Sequence, residues 1–174
     1  MVKFLLIAFI FIGCGVGPKE PASGIYVYDV KPAFQPYVDA FINNSIGRGE
    51  VSIEHLTIEF GALGLDRLGE CSIYVDRNPK IIINAKYWYE IDDNDKEVLL
   101  FHELGHCILR RKHNSDFTGF YPDSIMYPHV IGKYYKNNEE AYIDELYSVR
   151  NDWEESFFLT GNKTFSCGVS HGNN

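Results

Sequence analysis

Positive charge is scarce in this chain of 174 residues, where 16 Lys and Arg stand against 24 Asp and Glu for a net charge of −8. Binding nucleic acid needs a cationic surface that displaces phosphate counterions, and no basic face can be traced, so nucleic acid is excluded as the main partner. Long apolar runs are also missing. The longest, residues 4–12, falls short of the roughly 20 residues that cross a bilayer. Cysteine is sparse, with four in all, and no internal repeat is visible. What is abundant is apolar and aromatic: 45% of the residues are hydrophobic, with twelve Tyr and twelve Phe. That composition belongs to one globular domain with a real core, not to a disordered or collagen-like chain.

The short apolar run has a function of its own. Lys3 gives it a positive start, and "FIGC" closes it with a small residue before Cys14, the layout of a targeting segment. "FIGC" resembles the bacterial lipoprotein signal, which implies lipidation at Cys14 and a cell-envelope location on a bacterial membrane. An ordinary cleaved signal and a membrane-embedded leader are the alternatives, and all three put the domain outside the cytoplasm. Residues 15–24, "GVGPKEPASG", read as a flexible tether, leaving residues 25–174 as the domain. With Cys14 set aside, Cys71, Cys107 and Cys167 remain, so at most one bridge can form within the chain.

Along the domain, residues 24–30 alternate as a strand, and after Pro32 the residues Phe34, Val38, Phe41 and Ile42 share one helical face. Leu56, Ile58 and Phe60 at a period of two predict a second strand, and "CSIYV" and "KIIINA" predict two more, separated by the turn "DRNP". Asn94, followed three residues later by Glu97, fits a helix N-cap. Acidic residues 92, 93 and 95 at one end and basic residues 110–112 at the other complement the dipole of a helix over about residues 95–109. Residues 112–133 read as a loop, a further helix follows through Leu146 and Val149, and the last dozen residues read as loose. Trp88 and Trp153 read as core, and His55 and His171 as surface residues.

Within the central helix lies "HELGH". His102 and His106 are four apart and share a face, about 40° from each other, so both rings can reach one ion. Glu103, rotated by about 100°, is placed to touch a water on that ion without ligating it, which is the logic of an HExxH zinc hydrolase. Imidazole nitrogens suit zinc better than calcium or magnesium, which prefer oxygen. His113 lies just past the helix, where a returning loop can bring a third nitrogen.

"HELGHCILRRKH" followed by "SIMYP" resembles the metzincin clan of zinc metallopeptidases, in particular its matrixin-like members, and "IIINAKYW" is similar to the strand-and-Trp stretch before their active helix. The resemblance covers about residues 25–146. It implies an α+β zincin-like domain: a twisted sheet with an active-site helix and a C-terminal helix, around a cleft that holds one catalytic zinc. Residue by residue it implies His102, His106 and His113 as ligands, Glu103 as general base, and Met126 in a tight turn beneath the metal. Tyr127 would line the cleft or reach a tetrahedral intermediate, or simply pack. Residues 71–75 would be the sheet edge that pairs with an extended peptide. The expected activity is endopeptidase cleavage of a peptide or protein substrate.

One departure from the clan is local. Its motif has five residues between the second and third His, with Gly at the third; this chain has six, and Leu109 stands at the Gly place. Because an L-residue resists positive φ, the helix is expected to run on slightly before the chain returns. Small bacterial zincin-like proteins are similar in this spacing. His129, Asp116, Glu139 and Glu140 compete with His113 for the third place, the last two by the gluzincin arrangement. Cys107 points away from the ligand face, and Cys71 and Cys107 form either a bridge or two buried thiols. Cys167 is unassigned, a thiolate on the zinc being one option. No propeptide carrying an inhibitory Cys is expected, so control of activity must lie elsewhere. Two rival functions stay open: a surface lipoprotein in which zinc only staples residues 112–133, and a zinc amidase acting on a non-protein substrate such as a cell-wall crosslink.

Overall fold

The computed structural model describes residues 29–148 and 161–168. Cys14, the tether, most of the strand expected at residues 24–30, Trp153 and His171 lie outside the described residues. The elements in order are α1 (Gln35–Asn44), β1 (Thr57–Gly61), β2 (Arg67–Ile73), β3 (Lys80–Asn84), α2 (Ala85–Trp88), α3 (Asp93–Cys107), β4 (Phe117–Thr118), β5 (Tyr121–Pro122), α4 (Gly132–Tyr135), α5 (Glu139–Ser148) and β6 (Lys163–Gly168).

The fold is α+β, as expected, with a four-stranded sheet in the order β1-β3-β2-β6. β1 and β3 run parallel, while β2 is antiparallel to both β3 and β6. The alternation that predicted the strands is visible in their burial: Ile58, Ile81 and Ile83 are fully buried, and Glu59 stays on the wet face, paired with Lys80 at 2.7 Å. A period of two puts successive side chains on opposite faces, so these residues sort themselves between core and solvent.

Helix α3 is buried almost all round, from Val98 to Cys107, as befits an element packed within a domain rather than on its surface. It rests against β2, β3 and β6 and also against α1 and α4. Phe41 of α1 meets Phe101 edge-on at 5.4 Å, and the Tyr135 hydroxyl of α4 donates to Glu97 at 2.7 Å. A disulfide joins Cys71 of β2 to Cys107 of α3, with their Cα atoms 5.8 Å apart. It ties the sheet to the helix across a separation of 36 residues. In the loop-entropy account such a closure stabilises by about 4 kcal/mol.

Four expectations are corrected. The N-cap of α3 is Asp92, whose carboxylate accepts from Asp95 N at 2.9 Å, not Asn94. The helix ends at Cys107 instead of running past Leu109; Ile108 N donates to Leu104 O at 2.7 Å, Arg111 N to Gly105 O at 3.0 Å, and Arg110 takes the left-handed conformation at φ 59°. Of the last dozen residues, read as loose, Lys163–Gly168 form a strand, and residues 169–174 lie outside the described residues. For the same reason residues 71–73 are not a free sheet edge: β6 pairs along β2 from Ile73 to Arg67.

Candidate metal centre

α3 presents His102 and His106 one turn apart, and the chain, after turning at Arg110, returns His113 to them. The three ring centroids lie 4.7, 5.1 and 4.7 Å from one another. His106 Nε2 is 3.0 Å from His102 Nε2, and His113 Nε2 is 3.2 Å from the same atom. The longer connection therefore does not keep the third ring away. The left-handed residue has moved one place, from the position of Leu109 to Arg110.

The far side of each helical ring is fixed by a carbonyl. His102 Nδ1 donates to Ile125 O at 2.8 Å and His106 Nδ1 donates to Arg111 O at 2.7 Å. A carbonyl can only accept, so both hydrogens sit on Nδ1 and both Nε2 atoms carry bare lone pairs. Two lone pairs facing at 3.0 Å repel unless a cation lies between them. A proton is disfavoured in that role. Burial holds His102 down to about 3 and His106 well below the usual imidazole range, while burial and the nearby His129 lower His113. The donor set, neutral and convergent, with His102 and His106 buried and His113 on the exposed side, fits a divalent metal with tetrahedral nitrogen preference; ligands at about 2.0–2.1 Å from zinc would be about 3.3 Å apart.

The two orienting carbonyls are themselves held by one side chain that the sequence reading missed. Glu145 of α5 accepts from the Ser124 hydroxyl at 2.6 Å and from the Arg111 guanidinium at 2.7 Å. Arg111, only 3% exposed, also donates to Glu145 O and Leu146 O at 3.0 and 3.2 Å. Ser124 and Arg111 sit beside or carry the carbonyls that grip His102 and His106. Arg111, read in the sequence only as a cation that complements the helix dipole, is a buried strut. The signal for Glu145 is its place on the inner side of α5, next to Leu146 and one turn beyond Tyr142.

Met126 lies in the expected tight turn, with Met126 N donating to Ser124 Oγ at 3.0 Å and Tyr127 N to Ser124 O at 3.1 Å. It is fully buried, and its sulfur packs on α3 so closely that a Cβ at Gly105, between the two helical histidines, would overlap it. Tyr127 points elsewhere, 5.1 Å from the Phe117 ring and 5.6 Å from His129, on the wall of a cavity of about 610 Å³. His129 bridges to Gly168, Asp116 folds onto Asn114, and Glu140 pairs with Arg48. Among the described residues, none of these joins the cluster of donors around His102.

Glu103 is fully buried against Gly69 of β2, where an added Cβ would lie 2.6 Å from its Oε1. Neither carboxylate oxygen accepts a well-aligned hydrogen bond. Burial pushes its pKa well above the usual carboxylate range, opposed by the backbone amides of Cys167 and Cys71. Cys167 is a buried free thiol, and its sulfur, a ring nitrogen of His102 and a carboxylate oxygen of Glu103 lie within 4.8 Å of one another.

Residues 73–147 match the model of a family described as "Putative phage metallopeptidase". The matched stretch holds the end of β2, β3, α3 with its histidines, the Met126 turn and α5; β1 and β6 fall outside it. No curated protein and no solved structure matches the chain. The match and the histidine cluster together support a metal-dependent peptidase.

Proposed function

We propose that the protein is a zinc-dependent endopeptidase of the metzincin type, anchored at Cys14 to a bacterial membrane and facing outside the cytoplasm. The observation that carries the zinc site is the pair of bare Nε2 atoms on His102 and His106, fixed by the carbonyls of Ile125 and Arg111 and joined by His113. His102, His106 and His113 would hold the ion, which when bound polarises the scissile carbonyl and acidifies a water. Glu103, one residue from the first ligand, receives that water's proton and hands it to the leaving amine; a carboxyl with a raised pKa is suited to both halves of the transfer. Met126 gives the helix an apolar support at Gly105. The anchor rests on the N-terminal segment of the sequence alone.

The test is Glu103→Gln. The variant should keep one zinc per chain and lose casein and peptide-library cleavage by two orders of magnitude or more. Cleavage at the parent's rate would remove Glu103 from the reaction. One observation favours the rival in which zinc is only a staple: Glu103 is closed off from solvent. Zinc content measured alongside turnover separates the two, because a stapling ion is bound without turnover.

A further inference from the structure

Glu103 is enclosed by Gly69 of β2 and by Cys167 of the strand β6, and three features of that second strand belong together. The first is where it pairs. It runs antiparallel along β2, with Ser72 opposite Thr164, Cys71 opposite Phe165 and Gly69 opposite Cys167. It thereby takes the backbone groups that an extended peptide would use for strand addition.

The second is what it covers. The Phe165 ring lies flat on His106, with centroids 4.7 Å apart and planes at 22°, and 6.5 Å from His113. Two residues on, Cys167 faces His102 and Glu103, and Gly168 N donates to Pro128 O at 2.9 Å, just beyond the Met126 turn. The space a scissile carbonyl and a water need is filled by this chain's own side chains.

The third is the balance of forces. Only Cys167 of the strand's six residues is fully buried, and Phe165 is the other apolar side chain of the strand that packs on the core, so β6 itself gives up two apolar side chains on parting from β2. Meanwhile the closed arrangement gives neither Glu103 oxygen a well-aligned hydrogen bond, with only the backbone amides of Cys167 and Cys71 to offset its burial, a state that water would improve.

We propose that β6 is an internal substrate mimic: Lys163–Gly168 occupies the β2 edge in place of an extended peptide and keeps the His102, Glu103, His106 and His113 site shut until it moves away. The inference rests on the peptidase reading above. The occupant also describes the partner the edge accepts, an extended peptide antiparallel to β2 with an aromatic side chain over His106 and a small side chain two residues later beside Glu103.

Two full-length variants test this, Phe165→Ala, which uncovers His106, and Thr164→Pro, which weakens the β2–β6 ladder. The probe is a fluorescein-labelled hexapeptide, KTFSAG, read by anisotropy in zinc-loaded and zinc-free protein, with casein hydrolysis measured in parallel. Zinc content confirms that each variant is folded. Either variant should bind the hexapeptide at least tenfold more tightly than the parent and hydrolyse casein at least tenfold faster. Folded variants whose affinity and turnover both stay within twofold of the parent would make β6 a fixed part of the sheet and overturn the proposal. Tighter hexapeptide binding without cleavage by any form upholds the displaceable strand and overturns the peptidase reading. Brisk cleavage by the parent with unchanged hexapeptide binding does the reverse.

Discussion

Replacing Glu145 with Ala separates the metal centre from its support. The side chain touches none of the three histidines, yet its two oxygens hold Ser124 at 2.6 Å and Arg111 at 2.7 Å, and the backbone at Ile125 and Arg111 grips the rings. Removing one member of a buried ion pair costs about 3–5 kcal/mol, because the other charge stays buried. Here Arg111 keeps two carbonyl acceptors and Glu145 is 25% exposed, so the loss should be about 2–3 kcal/mol. Urea unfolding of the metal-free protein reads it directly. Zinc affinity, measured by competition with a chelator, should fall about 10–100-fold, as for other losses behind a ligand. Glu145→Gln, which keeps an acceptor for Ser124, should fall between parent and Ala. A variant that loses stability while its zinc affinity stays within twofold of the parent would show that the carbonyls are held by something other than Glu145.

Converting both Cys71 and Cys107 to Ser should lower stability by about 4 kcal/mol in denaturant, and the parent should move to the same value under reductant; coincidence of oxidised parent and variant would contradict this. Gly69→Ala places a methyl against Glu103 Oε1, so turnover should drop at least tenfold while zinc stoichiometry holds, and an unchanged rate in a peptide assay would refute the packing argument. The third concerns pH in metal-free protein. His102 and His106 have depressed folded values against about 6.5 unfolded, so the unfolded state binds more protons and stability falls as pH drops below 6.5, by up to about 1.4 kcal/mol per unit per ring. Glu103, raised in the fold, acts oppositely, its contribution waning as pH climbs from the unfolded carboxyl value near 4.5. Two rings against one carboxyl leave a net rise in stability from pH 4.5 to 6.5, steeper in Glu103→Gln, and a flat profile in calorimetry would count against the buried neutral histidines.

The parts of this protein that were legible in its sequence are those written in local periods. Ile81 and Ile83, Phe41 and Val38, and the four-residue step from His102 to His106 each follow from 2.0- or 3.6-residue geometry, and the returning His113 was legible because the spacing resembles a known motif. The end of α3 was not, since it turns on which residue accepts positive φ, and Arg110 does so against its intrinsic preference. Nor was the Ser124–Glu145–Arg111 strut, whose three members come from separate segments and meet only through tertiary packing. β6 did carry a signal: Phe165 and Cys167 alternate with polar residues, as a one-faced strand does. A strand at the end of a chain, remote from its partner, gives no local hint of which edge it will join.

The displaced turn has a bearing on how such sites are found and built. A motif that demands Gly at a fixed offset after the second His would reject this chain, although its three rings meet as closely as tetrahedral ligation asks. What the architecture requires is one left-handed residue somewhere in the return, and an added residue shifts where it falls without moving the destination. A search written around converging nitrogens, or a designed zinc protein with a lengthened return, can therefore treat that linker as adjustable.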